Sequence, residues 1–174
     1  MIAGEVRNPD AQQEALHQLT KSLHAQIPMT GFLRIALVEL DHDRIVLAAP
    51  LAPSRNHRDT AFGPGVFTAA GLAPWLLLVR RAWAQRLAVQ ILLRRCEFAI
   101  HRPITADYRA RCDALPAVEI GAVRRGEKLR LTASSHVVFD DGAPAATYHA
   151  HYTLVPAASA TPGDLQLPFP EAWR

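Results

Sequence analysis

The chain has 174 residues, 49% of them hydrophobic and 20% charged, with a formal net charge of +3. A chain of this length fits one compact domain that buries roughly 70% of its unfolded surface. Its high apolar and low charged content excludes a disordered chain. Two cysteines are too few for a disulfide scaffold or a four-cysteine zinc site. The basic pairs Arg80-Arg81, Arg94-Arg95 and Arg124-Arg125 are scattered, and aromatic residues make up 7%. That pattern lacks the basic stripe of a nucleic-acid groove.

The N-terminal stretch is polar and shows no signal-peptide pattern, which points to the cytoplasm and to reduced thiols. Residues 10–26 read as an amphipathic helix: Asp10 is placed to cap it, Ala15, Leu16, Leu19 and Leu23 recur at helical spacing, and Pro28 stops it. Residues 32–40 and 44–49 read as two strands around the turn Asp41-His42-Asp43. A polar loop follows, and then an apolar helix over Gly63–Ala84. Residues 61–79 are an uncharged run of membrane-spanning length, but Gly63, Pro64, Gly65, Gly71 and Pro74 fall within it. A buried core helix, kinked or split at Pro74, is the expectation.

Residues 89–101 and 106–114 pair on paper as a hairpin with one charged and one apolar face. Arg95 then faces Asp113, Glu97 faces Arg111, His101 faces Asp107, and Cys96 meets Cys112 as a small core neighbour. Residues 128–140 and 144–155 form a second hairpin around Asp141-Gly142. In it Leu129, Leu131, Ala133, Ser135 and Val137 face Leu154, Tyr152, Ala150, Tyr148 and Ala146. His136, His149 and His151 share its wet face, and no carboxylate or thiolate joins them there to complete a metal site. Residues 156–174 are a Pro-rich tail without a periodic pattern. One domain over residues 1–155, with an α+β architecture of six antiparallel strands wrapped round a long apolar helix, follows. The helix carries more apolar surface than one small sheet covers, which points to a homodimer or a dimer of dimers.

This order of elements resembles the hotdog fold of acyl-CoA thioesterases. The segment Asn56-His57-Arg58-Asp59-Thr60-Ala61-Phe62-Gly63-Pro64-Gly65 is similar to the loop-to-helix signature of that superfamily. It is nearest the thioesterase-like domain that in some bacteria follows a GNAT-type acetyltransferase domain. Ile27-Pro28-Met29-Thr30, residues 46–51, and Glu97 upstream of Arg102-Pro103 agree as well, so the likeness runs over residues 20–155. There are departures. Pro64 stands where many members have a second glycine, Phe62 replaces the superfamily histidine, and Gly71 stands where many carry a catalytic acid.

The resemblance implies an acyl-CoA or acyl-carrier-protein thioesterase that needs no metal or cofactor, with a non-catalytic acyl-thioester-binding or scaffold protein as the alternative. Thioester hydrolysis needs a donor for the carbonyl oxygen and a base for water. The helix start at Gly65 suits the first. His57 suits the second, or else is an exposed loop residue. Asn56 orients water or braces the turn. Asp59 serves as second base, fixes the His57 tautomer, or makes an ion pair. Arg55 and Arg58 are candidates for carrier phosphate or are ordinary surface charges. Thr60, Phe62 and Gly63 are candidates for substrate contacts, and Thr60 alternatively caps the helix or hydrogen-bonds within the loop. Gly71 marks an acyl slot that Trp75 and Leu76-Leu77-Leu78 close at its far end.

Overall fold

The computed structural model describes residues 9–116, 120–139, 141–157 and 167–173. Helices α1 (Pro9–Gln26), α2 (Pro28–Phe32) and α3 (Gly63–Ala84) combine with strands β1 (Ala36–Leu40), β2 (Ile45–Ala49), β3 (Val89–Ile100), β4 (Tyr108–Cys112), β5 (Leu129–Val138) and β6 (Pro144–Pro156). The strands make one sheet in the order β1-β2-β4-β5-β6-β3, with every neighbouring pair antiparallel. α3 packs against β2, β3, β4, β5 and β6, so a single sheet curls round one helix. Leu76, Leu77 and Leu78 are all buried in that contact.

Local chemistry accounts for the first elements. Asp10 lies inside the first turn of α1 rather than ahead of it, where a carboxylate still suits the positive helix end. Pro28 both ends α1 and opens the short α2, because a proline at the first turn gives up a donor that has no partner there anyway. Residues 32–35 are therefore not strand. Leu33, Arg34 and Ile35 donate to the carbonyls of Met29, Gly31 and Thr30, and Arg34 turns the chain with φ +53°. α1 then covers the outer edge of β1, where Thr20 Oγ1 accepts the Leu37 N–H at 3.0 Å. That removes one free sheet edge.

The helix α3 runs unbroken through Pro74. Proline has no N–H for the carbonyl one turn back, at Ala70. The Ser135 hydroxyl, fully buried on β5, donates to that oxygen at 2.6 Å. Tyr152 Oη on β6 donates to the neighbouring Gly71 carbonyl at 3.5 Å. The sheet thus supplies the donor that the helix lacks, and the helix does not split.

The β5–β6 register is the expected one from Leu129↔Leu154 to Val137↔Ala146. The turn is looser than a two-residue one: the register shifts at Val138, which pairs with Pro144, and Gly142 takes φ +78°. The β3–β4 hairpin does not form. β3 pairs with β6, placing Cys96 against Ala150 and Glu97 against His149, while β4 lies between β2 and β5. Arg95 binds Glu97 on its own strand at 2.9 Å, Arg111 binds Asp113 at 2.8 Å, and His101 meets Thr147 rather than Asp107. Both cysteines are free thiols. Burial pushes the Cys112 thiol up to about 11, so it is inert at neutral pH. The three strand histidines sit on the outer face, with His149 and His151 hydrogen-bonded to Ser134 and Thr132. No cluster of metal ligands occurs among the described residues.

Residues 167–173 return to the body. Leu167, Phe169 and Trp173 join the core, Phe169 stacks on Trp83 at 5.1 Å, and buried Arg80 donates to the Trp173 carbonyl at 2.8 Å. No helix among the described residues is long and apolar enough to cross a membrane.

Candidate active site

The loop before α3 is closed on itself. An Arg55↔Ala61 bridge holds its neck. Inside it Asn56 Oδ1 accepts the Arg58 and Thr60 N–H groups at 2.8 and 3.3 Å, and Asn56 Nδ2 donates to Thr60 Oγ1 at 3.0 Å. The Asn56 N–H donates to the Thr60 carbonyl at 2.8 Å. A short amide side chain is suited to this task, because it reproduces a backbone turn. Asp59 takes φ +57° at the tip and pairs with Arg55 at 3.4 Å, so it does not reach His57. His57 is exposed, and its side chain meets no hydrogen-bond partner among the described residues.

Two further backbone bonds dock this loop. Phe62 N–H donates to the Ser54 carbonyl at 2.6 Å, and Ala61 N–H to the Ile104 carbonyl at 2.8 Å. α3 then starts with Phe62 as N-cap and without a side-chain cap, so Thr60 does not cap it. Gly65 and Val66 both donate to the Phe62 carbonyl, at 2.9 and 3.3 Å. The Gly65 N–H is therefore engaged inside the helix rather than free for a substrate. Gly65 instead permits close packing, since a Cβ there would lie 2.8 Å from Ser54 Cβ. Pro64 has no donor. The Gly63 N–H is the first-turn group that bonds no described residue.

Gly63 opens on a cleft of about 490 Å³ that Asn56, Arg58, Thr60, His101 and Arg102 also line. Here β3 ends beside the loop. His101 Nε2 lies 2.9 Å from Thr147 Oγ1. Arg102 is held in place, its guanidinium 4.5 Å over the Phe139 ring and its Nη2 donating to the Ala143 carbonyl at 2.8 Å. Arg58 is exposed at the rim, whereas Arg55 is turned to Asp59. The sequence placed His101 in a hairpin that does not exist and so missed it. Its signal was its position directly before Arg102-Pro103, at the end of a long strand.

One turn along α3, Phe67 packs edge-on against Phe98 and Tyr148, each at 5.6 Å. Beyond it lies an apolar slot of about 320 Å³ bounded by Ile27, Phe67, Gly71, Trp75, Tyr148 and Tyr152. Gly71 keeps this space open, since a Cβ there would stand 3.3 Å from Tyr148 Cζ and Oη. The structure thus brings Asn56, Arg58, Thr60 and Gly63 together at the cleft and Gly71 at the slot. Phe62 is exposed beside them, and His57, Asp59 and Gly65 do not line the cleft.

An antiparallel six-stranded sheet curled round one long helix is the architecture of hotdog-fold thioesterases. The chain belongs to the family described as "Putative thioesterase (yiiD_Cterm)", which matches residues 16–156. Among solved structures it is similar to a thioesterase-described protein of Shewanella oneidensis, with TM-score 0.75, 24% identity, and cover of 83% of this chain and 99% of that one. A Pseudomonas aeruginosa protein described as a probable thioesterase gives TM-score 0.69 and 20% identity over 84% of this chain and 96% of that one. A Haemophilus influenzae thioesterase gives TM-score 0.66 and 10% identity over 84% and 94%. At these identities the solved structures establish the fold alone. No curated protein sequence matches the chain.

Proposed function

We propose that this protein hydrolyses an acyl thioester in the cleft at the start of α3. The observation that carries the reading is the unpaired N–H of Gly63, a residue that lines a cleft together with His101, one turn from the apolar slot. The positive helix end and this donor stabilise the oxyanion as the carbonyl becomes tetrahedral. A water attacks the carbonyl carbon while a histidine takes its proton. With Nε2–H donating to Thr147, His101 Nδ1 keeps a lone pair for that task. The C–S bond then breaks, the departing thiolate takes the proton back from the histidine and leaves as the thiol, and the carboxylic acid loses its remaining proton to solvent as carboxylate. Asn56 acts as a positioning residue, because its side chain is spent on Arg58 and Thr60.

The carrier is coenzyme A or an acyl-carrier protein, whose phosphate would meet Arg58 at the rim. The working unit is a homodimer. β3 is a twelve-residue edge strand with Leu92, Leu93 and Ile100 exposed, and such an edge is suited to pairing with a second copy. A monomer in sedimentation at micromolar concentration contradicts this. Gly71 in the place of a helix acid favours the second reading, a protein that binds acyl thioesters without cleaving them. Release of free thiol from acyl-CoA esters separates the two. Turnover that falls in both Asn56→Ala and His101→Ala supports the site. Turnover that both variants leave intact overturns it, and binding without turnover gives the second reading.

A further inference from the structure

Gly63, Phe67, Gly71, Trp75, Val79 and Trp83 follow one another at four-residue spacing, which is a single ridge on α3. The ridge leads from the cleft through the small slot to Trp75, and Trp75 also borders a second and larger cavity of about 600 Å³. That cavity is lined by Val79, Trp83, Val89, Ile91, Leu167 and Phe169 among others, and Gln90 is its one polar residue among those described. Part of its wall, Leu167 and Phe169, comes from the segment 167–173, which Arg80 and the Phe169–Trp83 contact pin. These two residues lie beyond residues 16–156, the part shared with the family.

We infer that the substrate is a long-chain acyl thioester whose tail passes Trp75 and ends in this second cavity. The inference rests on the hydrolase reading for the position of the thioester. From Gly63 to Trp75 is twelve residues, roughly 18 Å along the axis, and to Val79 sixteen residues, roughly 24 Å. An extended chain advances roughly 1.2 Å per bond, a third of an extended residue. Trp75 is thus reached after about 15 bonds and Val79 after about 20. A tail shorter than this ends in the slot. A longer one needs a second apolar space in line with it, and the cavity supplies that. An acyl chain meets mostly apolar side chains there, with Gln90 as the exception among the described residues, and both cavities lie within the size of ordinary ligand sites.

The test uses the chain's three tryptophans. The variant Trp75→Phe/Trp173→Phe leaves Trp83 as the sole emitter, at the wall of the second cavity. ω-Bromodocosanoic acid, whose chain to the bromine spans roughly 26 Å and so passes Val79 toward Trp83, is expected to quench Trp83 saturably, ω-bromododecanoic acid to compete with it without quenching, and Val79→Phe in the same background to abolish the quenching. Equal quenching by both acids, quenching unaffected by Val79→Phe, or no quenching by the longer acid overturns the inference. Thiol release from acyl-CoA esters by the unaltered chain reads the hydrolase separately. Quenching without turnover keeps the cavity and removes the hydrolase, and turnover without quenching does the reverse.

Discussion

The bond from Ser135 to the Ala70 carbonyl can be tested against the proline that makes it necessary. In the native chain Ser135→Ala leaves the Ala70 oxygen buried without the donor that Pro74 cannot supply. A buried acceptor stripped of its partner costs about 1–3 kcal/mol. For a chain of this size that is a fall in Tm of about 2–12 °C. Pro74→Ala restores a helical N–H aimed at the same oxygen. In that background Ser135→Ala removes only a second donor from a satisfied carbonyl, and the cost falls to below about 1 kcal/mol. The coupling from a double-mutant cycle, read by denaturant unfolding of the four proteins, is therefore expected at about 1 kcal/mol or more. Any loss of packing caused by Pro74→Ala itself cancels in the cycle. If Ser135→Ala costs the same in both backgrounds, the hydroxyl does not replace the missing helix donor and the account of α3 is wrong.

Gly65→Ala places a Cβ 2.8 Å from Ser54 Cβ, and such overpacking is expected to cost about 1–3 kcal/mol in thermal melts; an unchanged Tm contradicts the close approach. Gly71→Leu meets Tyr148 and projects into the slot, so it is expected to shorten the longest acyl chain accepted while the fold persists; an unchanged limit places the slot elsewhere. Burial raises Tyr108, Tyr152 and Tyr148, the last up to about 12. The unfolded chain releases these protons near pH 10, so their contribution to stability is complete below that pH and is lost as pH rises through the folded values. Absorbance titration of the folded protein is expected to show less than half of the full tyrosinate signal near pH 10, and half or more of it there contradicts the burial of all three.

Elements and neighbours in the chain were legible in the sequence, and long-range pairing was not. The β5–β6 register followed from adjacent strands whose alternation leaves one apolar face. The β3–β4 pairing failed because its charge complementarity is degenerate. Arg95–Glu97, Arg111–Asp113 and Arg125–Glu127 each close at i, i+2, so these charges needed no partner strand. The error carried His101 away from the cleft that it lines. The core role of Leu167, Phe169 and Trp173 was hidden because Pro168 and Pro170 between them leave no helical or strand period to read. At the loop, Asn56 and Thr60 were found by their motif, but the motif does not say which helix N–H stays free. That depended on Phe62 taking up both Gly65 and Val66.

The central claim is that a histidine at the end of β3, beside the free Gly63 N–H, activates water against a thioester. It is tested most directly by comparing kcat for thiol release from one acyl-CoA ester in His101→Ala and His57→Ala. General-base assistance contributes roughly 10²–10⁴-fold, so His101→Ala is expected to lose about that factor in kcat while His57→Ala stays near the native rate. A native rate in His101→Ala, with the loss falling on His57→Ala instead, contradicts the account.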